Sequence, residues 1–188
     1  MTAWLLETHG IVSLGALGFE NAYALALPRN IADSLSIITL ADLAPHTSSM
    51  VMGADYVFFD RPEWKNARDV YRLNFKELRA FDPTLMYTAV RVGEVDVISA
   101  YSTDGRNVEY DLLVLEDPLQ SLPPYDAALL LSPKIIGTPG LESSLMALIG
   151  KIDDDMMRKA NKMVDSDGLS VRKAAAMLRA EALQGHKK

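Results

Sequence analysis

Short apolar runs alternate along the chain with segments of helical periodicity, and this alternation limits the possible folds more than any other feature. The runs 95–100, 112–115 and 127–131 are short enough for strands that are buried on both faces. Residues 60–63 and 82–84 each combine an acidic residue with a proline, a pattern typical of a helix start. Strands interleaved with helices predict an α/β fold with a mostly parallel sheet flanked by helices.

The last third of the chain has a helical pattern, with helices expected over 141–149, 154–164 and 171–183. Nearer the N-terminus, Thr39 followed by Asp42 predicts a capping box on a one-turn helix. Between residues 115 and 124, acidic residues and three prolines separate two apolar runs. Proline prevents a regular helix there, so this segment is either a surface loop or an extended crossing between two lobes.

Composition removes several classes of function. The net charge of −6 argues against a nucleic-acid binder, which would present a basic face. The chain has no cysteine, which excludes thiolate nucleophiles and Cys-ligated zinc. Its apolar stretches are shorter than the roughly 18–20 residues of a membrane span. Residues 1–10 lack the basic residues of a signal peptide, so we expect mature sequence without an export signal.

Catalytic and metal-binding motifs are weak. Residues 165–168 resemble the start of a calcium loop, but its twelfth position is Ala176 rather than glutamate, so we predict a turn between helices. Three consecutive aspartates, 153–155, suit a helix N-terminus, where the helix dipole favours acidic side chains. No nucleophile and base occur in a recognisable arrangement. We therefore predict a chain that is not an enzyme, with no catalytic residue, metal or cofactor.

Three of the seven tyrosines lie beside polar, loop-forming residues: Tyr23, Tyr101 and Tyr125. Ligands of parallel α/β sheets collect outside the carboxyl ends of strands, and Tyr101 directly follows such a predicted strand. Several tyrosine faces around one point attract a quaternary ammonium group through the quadrupole of the rings. The residues alone leave a second interpretation open, in which each tyrosine packs in the core or at its rim.

Several segments, in this order and at this spacing, resemble the osmoprotectant (glycine betaine, choline, proline betaine) substrate-binding proteins of ABC importers. They are LGFENAYALAL, TLADLA, DPTLMYTAV, GEVDVISAYSTDGR, LVLEDP and PPYDAALLL. The resemblance implies a type II periplasmic binding protein, in which a small quaternary-ammonium ligand closes between two lobes. It also implies an ABC permease subunit as partner and an extracytoplasmic location.

The same resemblance implies roles for individual residues. Tyr23, Tyr101 and Tyr125 match the walls of an aromatic cage around the ammonium group. Thr103 and Asp104, after Ser102, are expected to shape the strand-end loop on the cleft, and Asn21 is a further polar candidate for ligand binding.

The resemblance also predicts how the chain divides. Residues 1–18 enter from the first lobe, 19–114 form the second lobe, 115–126 form a crossover hinge, and 127–188 form the C-terminal portion of the first lobe. Family members have a further stretch before the equivalent of residue 1, with another cage aromatic and groups for the ligand's carboxylate. Without it, the region around 127–131 would expose apolar area, which a homodimer or a swapped assembly would cover.

Three alternatives remain at this point. The chain could be the effector-binding domain of a transcriptional regulator with the same lobe architecture, although a helix-turn-helix is missing from the sequence. It could be a small α/β hydrolase, which would need a nucleophile and a base. It could also be a receptor for another trimethylammonium compound, such as carnitine or ergothioneine.

Overall fold

The computed structural model describes residues 2–184, in which strands and helices alternate along the chain. The strands are β1 Val12–Glu20, β2 Tyr23–Pro28, β3 Val51–Asp55, β4 Glu77–Phe81, β5 Val97–Tyr101, β6 Leu112–Val114 and β7 Asp126–Leu131. The helices are α1 Thr2–His9, α2 Arg29–Leu35, α3 Leu40–Leu43, α4 Pro62–Tyr71, α5 Pro83–Arg91, α6 Gly105–Glu109, α7 Leu141–Met146, α8 Asp154–Asp165 and α9 Val171–Gln184.

The chain divides into two compact units. One consists of Ala22–Pro124, and the other of Met1–Asn21 together with Tyr125–Lys188. Among residues 2–184, no helix has both the length and the apolar character that crossing a bilayer requires.

The unit of Ala22–Pro124 contains a five-stranded sheet in the order β4-β3-β5-β2-β6. β3 runs parallel to β4 and β5, whereas β2 runs antiparallel to β5 and β6. The sheet is therefore mixed, and the prediction of a mostly parallel sheet is wrong. Almost every residue of β2 is buried. An apolar run that is buried on both faces looks the same in either direction, so its pattern could not reveal the orientation.

Helices cover both faces of this sheet because side chains along each strand point alternately to opposite faces. Leu25 and Leu27 of β2 contribute to one buried cluster, which includes Trp64 of α4. Ala26 contributes to the other cluster, together with Tyr87 of α5. The strand at residues 95–100 was predicted to be buried on both faces, and the first four residues of β5 are buried accordingly.

Helix starts are built by short polar side chains, as the sequence predicts in two of three cases. Thr39 and Asp42 form the expected capping box on α3. The Asp82 carboxylate accepts a hydrogen bond from the backbone N–H of Thr84 and caps α5. Asp60 does not cap α4, because it belongs to a 3-10 turn and the N-cap position falls on Arg61. This shift places a cation at the start of α4.

The unit of Met1–Asn21 and Tyr125–Lys188 contains the antiparallel pair β1 and β7 and the helices α7, α8 and α9. Residues of β7 are alternately exposed and partly covered, and Leu130 is 49% exposed. The prediction of a strand buried on both faces is wrong here. Among the described residues β7 pairs with β1 alone, and its alternate residues are exposed to solvent.

Gly18 shows why β1 approaches the segment before α8 so closely. Its φ of +114° is rare for residues with a side chain, and a Cβ at this position would lie 2.8 Å from the carbonyl oxygen of Ile152. The N–H of Ile152 donates to the carbonyl of Leu17 at 3.2 Å. Glycine is therefore required for this backbone contact.

Candidate functional site

Tyr23 and Tyr101 lie side by side because the first residue of β2 is in register with the last residue of β5. Their ring centroids are 4.8 Å apart with planes at 31°, and the Tyr101 hydroxyl donates to the Tyr23 hydroxyl at 3.1 Å. Tyr23 is 9% exposed and Tyr101 is 38% exposed. The pair therefore combines a buried ring with one that solvent can reach.

Tyr23 is further enclosed by Phe58 and Arg61. The ring centroid of Phe58 lies 5.0 Å from that of Tyr23, and the guanidinium carbon of Arg61 lies 5.1 Å from the Tyr23 centroid. Burial, followed by the hydrogen bond from Tyr101, raises the pKa of Tyr23 well above its usual range. The phenol is therefore neutral near pH 7. Its π face already attracts a cation, the guanidinium of Arg61.

Arg61 also forms an ion pair with Glu63, in which Nη2 lies 2.8 Å from Oε1. The Glu63 side chain is almost fully buried, whereas the Arg61 side chain is 39% exposed. The sequence interpretation missed Arg61 as a site residue, because it treated this segment as a helix start. The available signal was an arginine directly before the first turn of α4, two residues after a pair of phenylalanines.

A groove of about 640 Å³ begins at Arg61. Its lining comes from the start of α4 and from the segment before β7, and consists of Arg61, Pro62, Glu63, Asn66, Gln120, Ser121 and Pro123. The carboxamide of Asn66 donates to the carbonyl of Ser121, which ties the two walls together. Arg61 therefore belongs both to the tyrosine pair and to the groove.

The second wall of the groove is held by Asp117. Its carboxylate accepts hydrogen bonds from the Tyr71 hydroxyl at 2.6 Å, the Leu122 N–H at 2.7 Å and the Ser121 hydroxyl at 3.1 Å. The Tyr71 hydroxyl in turn accepts from the N–H of Leu119 at 2.8 Å. Burial, then the hydrogen bond to Asp117, raises the pKa of Tyr71 to about 12. The proline-rich segment is thus held by specific hydrogen bonds within its own unit.

The polar residues after β5 are mostly used to build the loop. The Ser102 hydroxyl accepts from the N–H of Ala22 at 3.0 Å, and the Ser102 N–H donates to the carbonyl of Ala22 at 2.9 Å. Thr103 is 3% exposed. Asp104 caps α6 by accepting from the N–H of Arg106. A direct contact of Thr103 or Asp104 with a ligand stays a prediction.

Asp104 also forms a two-pronged ion pair with Arg106. Nε of Arg106 donates to one carboxylate oxygen at 3.0 Å, and Nη2 donates to the other at 2.6 Å. Burial by itself would raise the pKa of Asp104, but the hydrogen bonds from Arg106 outweigh it and the pKa is lowered. The carboxylate is therefore ionised near pH 7 and is engaged within its own loop.

Asn21 and Tyr125 belong to the other unit and contact each other. The N–H of Asn21 donates to the carbonyl of Tyr125 at 3.2 Å, and the N–H of Tyr125 donates to a carboxylate oxygen of Glu20 at 3.2 Å. Both are exposed, Tyr125 at 45%. The structure thus brings Tyr23 to Tyr101 and Asn21 to Tyr125. The convergence of all three rings stays a prediction.

The sequence profile of the substrate binding domain of the ABC-type glycine betaine transport system matches residues 3–180. The chain belongs to this family. Within residues 2–184, no group of three histidine, aspartate or glutamate side chains is arranged to hold a metal ion.

Three characterised relatives are similar to most of this chain. The ergothioneine transport permease/ergothioneine binding protein of Helicobacter pylori is 32% identical over 161 residues, or 85% of this chain and 29% of that protein. The carnitine transport binding protein of Listeria monocytogenes is 31% identical over 79% of this chain and 49% of its own length. The glycine-betaine-binding protein of Pseudomonas aeruginosa is 31% identical over 90% of this chain and 59% of its own length. The chain therefore spans less than two thirds of each relative.

Solved structures confirm the fold class. The crystal structure of a glycine betaine/carnitine/choline ABC transporter protein matches with a TM-score of 0.86 and 28% identity, covering 95% of this chain and 65% of that chain. The closed form of lactococcal OpuAC with glycine betaine shares the fold at a TM-score of 0.51 and 13% identity, covering 97% and 73%. The expected α/β fold of a type II periplasmic binding protein is confirmed. These relatives are transport proteins and not enzymes, as the sequence predicts.

Proposed function

We propose that this chain is the substrate-binding portion of an ABC importer for small quaternary-ammonium osmoprotectants such as glycine betaine or choline. The observation that carries the proposal is the contact between Tyr23 and Tyr101, with Arg61 beside it, in a member of this family. The ligand would be held in a tyrosine cage between two lobes, and no covalent chemistry would occur.

The ammonium group would contact the Tyr101 ring, which is 38% exposed. A quaternary ammonium has no N–H to donate, so a neutral aromatic face suits it better than a polar pocket does. A well-placed ring contributes about 0.5–2 kcal/mol through cation–π attraction. Tyr125, with its exposed ring, is the proposed third wall, and Asn21 beside it is a polar contact.

The carboxylate of a betaine would bind Arg61. A guanidinium has five N–H donors in a planar fork, so it can bind a ligand carboxylate in addition to Glu63. Arg61 lies between the tyrosine pair and the groove, which gives the ligand's two charged ends adjacent partners. Sequence reasoning expected groups for the carboxylate in a preceding stretch of polypeptide. Arg61 is a candidate for this role within the chain itself.

The proposal includes a permease subunit as partner and an extracytoplasmic location. It also includes the expected homodimer or swapped assembly, which is supported by the apolar surface of the unit formed by Met1–Asn21 and Tyr125–Lys188. There Leu130, Ile136 and Met146 are each between 45% and 49% exposed. Sedimentation equilibrium over a range of concentrations tests the dimer, and a monomer at every concentration would exclude it.

Calorimetric titration of choline and glycine betaine into wild type and Tyr101→Ala tests the ligand class. The control is Val92→Ala, because Val92 is 67% exposed and precedes β5, at the opposite end of that strand from Tyr101. We expect Tyr101→Ala to weaken binding about 3- to 30-fold and Val92→Ala to leave it unchanged. Equal effects of the two variants, or wild type that fails to bind either ligand, would contradict the proposal.

A further inference from the structure

We infer that Arg106 and Tyr87 position the ligand-facing Tyr101. Neither residue was expected to belong to the site. The inference rests on the proposed function in one respect, that Tyr101 faces a ligand. Its structural step concerns only how the Tyr101 backbone and ring are held, and it can be tested without ligand.

The carbonyl of Tyr101 is the anchor of this arrangement. It accepts a hydrogen bond from Nδ2 of Asn107 at 2.9 Å and another from the N–H of Asp104 at 3.1 Å. Both donors lie at the start of α6. The position of the tyrosine therefore depends on how firmly that helix start is held.

Arg106 holds the helix start. It binds both carboxylate oxygens of Asp104, as described above, while its guanidinium carbon lies 4.0 Å from the centroid of the Tyr87 ring. A guanidinium that stacks on an aromatic face and forks onto a carboxylate has little freedom to move. Asp104 is well buried, with its side chain 13% exposed, so removal of Arg106 would leave a buried charge without its main partner.

Tyr87 links this cluster to the hydrophobic core. It lies on α5 and is 1% exposed. Its hydroxyl is 3.5 Å from Oδ1 of Asn107, and its ring stacks against the guanidinium of Arg106. One buried tyrosine therefore contacts two residues of the cluster that holds the Tyr101 carbonyl.

The same cluster offers a matched control. Arg91, also on α5, lies 5.4 Å from the centroid of the Tyr110 ring, and Tyr110 is 6.4 Å from Tyr87. Arg91→Ala removes the same kind of cation–ring contact in the same region. It does not touch Asp104 or the partners that hold Tyr101.

The first test uses the ligand-free chain. Cross-relaxation between the ring protons of Tyr23 and Tyr101 should be strong in wild type, because the rings are 4.8 Å apart. We expect Arg106→Ala to reduce it and Arg91→Ala to preserve it. Arg106→Lys should not restore it, because an ammonium cannot bind the carboxylate bidentately. An unchanged signal in Arg106→Ala overturns the inference, whatever the ligand.

The second test is a double-mutant cycle on affinity, with tetramethylammonium as the probe. Loss of Arg106 should loosen the helix start and weaken one of the hydrogen bonds to the Tyr101 carbonyl, so binding in Arg106→Ala should fall about 2- to 10-fold. If Arg106 acts through Tyr101, the same change in a Tyr101→Ala background should have little further effect. Additive losses would indicate a general loss of stability and contradict the inference.

Tyr87→Phe covers the case in which Arg106→Ala fails to fold. It keeps the buried ring and the stacking surface for Arg106, and removes only the hydroxyl. We expect reduced Tyr23–Tyr101 cross-relaxation and the same non-additivity with Tyr101→Ala. Wild type that shows the ring contact but binds no tetramethylammonium would refute the proposed function and leave the positioning role intact.

Discussion

Replacing Arg61 with methionine should distinguish the contribution of a betaine's carboxylate to affinity from that of its ammonium group. Methionine keeps much of the length of the side chain and removes its charge. In the structure the guanidinium lies 5.1 Å from the Tyr23 ring centroid and 2.8 Å from Glu63. A ligand carboxylate bound there would receive charge-assisted hydrogen bonds, which contribute about 1.5–3 kcal/mol. The affinity for glycine betaine should therefore fall about 10- to 150-fold in Arg61→Met.

The affinity for choline should rise or stay unchanged in Arg61→Met. Choline has no carboxylate, so it loses no partner when Arg61 is replaced. The Tyr23 face also becomes free of a competing cation, which favours the ammonium group of the ligand. Titration calorimetry of both ligands against the same protein preparations measures the two effects together. The ratio of the two affinities cancels errors in the active protein concentration.

Two further variants guard this experiment. Arg68→Met is the matched control, because Arg68 lies on the same helix and pairs at the surface with Asp69. It should change neither affinity. Arg61→Met combined with Glu63→Gln removes the charge that the single variant would leave buried, and should reproduce its ligand pattern. Equal losses for glycine betaine and choline, or no loss for glycine betaine, would refute the assignment of Arg61.

Three other variants test separate parts of the structure. Gly18→Ala should lower the unfolding free energy by about 1–3 kcal/mol in chemical denaturation. Gly137 also has a positive φ, +83°, but has open space around it, so Gly137→Ala should lower the unfolding free energy by about 1 kcal/mol or less. Equal losses in the two variants would contradict the close contact at Ile152. Because the pKa of Asp104 is lowered on folding, its contribution is present above its unfolded pKa and is lost as the pH falls through its folded value. The melting-temperature advantage of wild type over Asp104→Asn should therefore disappear under acid, and a constant advantage would count against it. Tyr101→Phe should bind choline better than Tyr101→Ala, because the π face survives; equal binding would favour a purely packing role.

Local signals in the sequence predicted much of the secondary structure. The Thr39–Asp42 capping box and the Asp82 cap follow from side chains that bond to backbone groups within a few residues. The elements that were missed include β4 and α6, as well as α1 and β1. β4 has charged, largely exposed residues and no apolar run, and α6 is five residues long, too short for a periodic pattern. Hydrophobic periodicity reveals elements that are buried and long enough to repeat. Exposed or very short elements therefore cannot be predicted from it.

The site was predicted only in part, because the sequence did not reveal the direction of β2 relative to β5. Tyr23 and Tyr101 were selected singly, but their contact depends on β2 running antiparallel to β5. A run buried on both faces does not encode that orientation. Arg61 was missed because its role comes from a tertiary contact with Tyr23. Asp104 was expected on the cleft as a polar group, and its engagement by Arg106 follows from a fork geometry that spacing alone does not reveal.

The neutral aromatic face of Tyr101, the exposed member of the tyrosine pair, should select a permanent positive charge. Comparing the binding of glycine betaine with that of 3,3-dimethylbutanoate tests it most directly. The two ligands share shape and carboxylate, and differ in having nitrogen or carbon at the centre of the trimethyl group. A cation–π contact with Tyr101 predicts that calorimetry will find glycine betaine at least about 2-fold tighter. Equal affinity for the two compounds would mean that shape alone is recognised and would contradict the account.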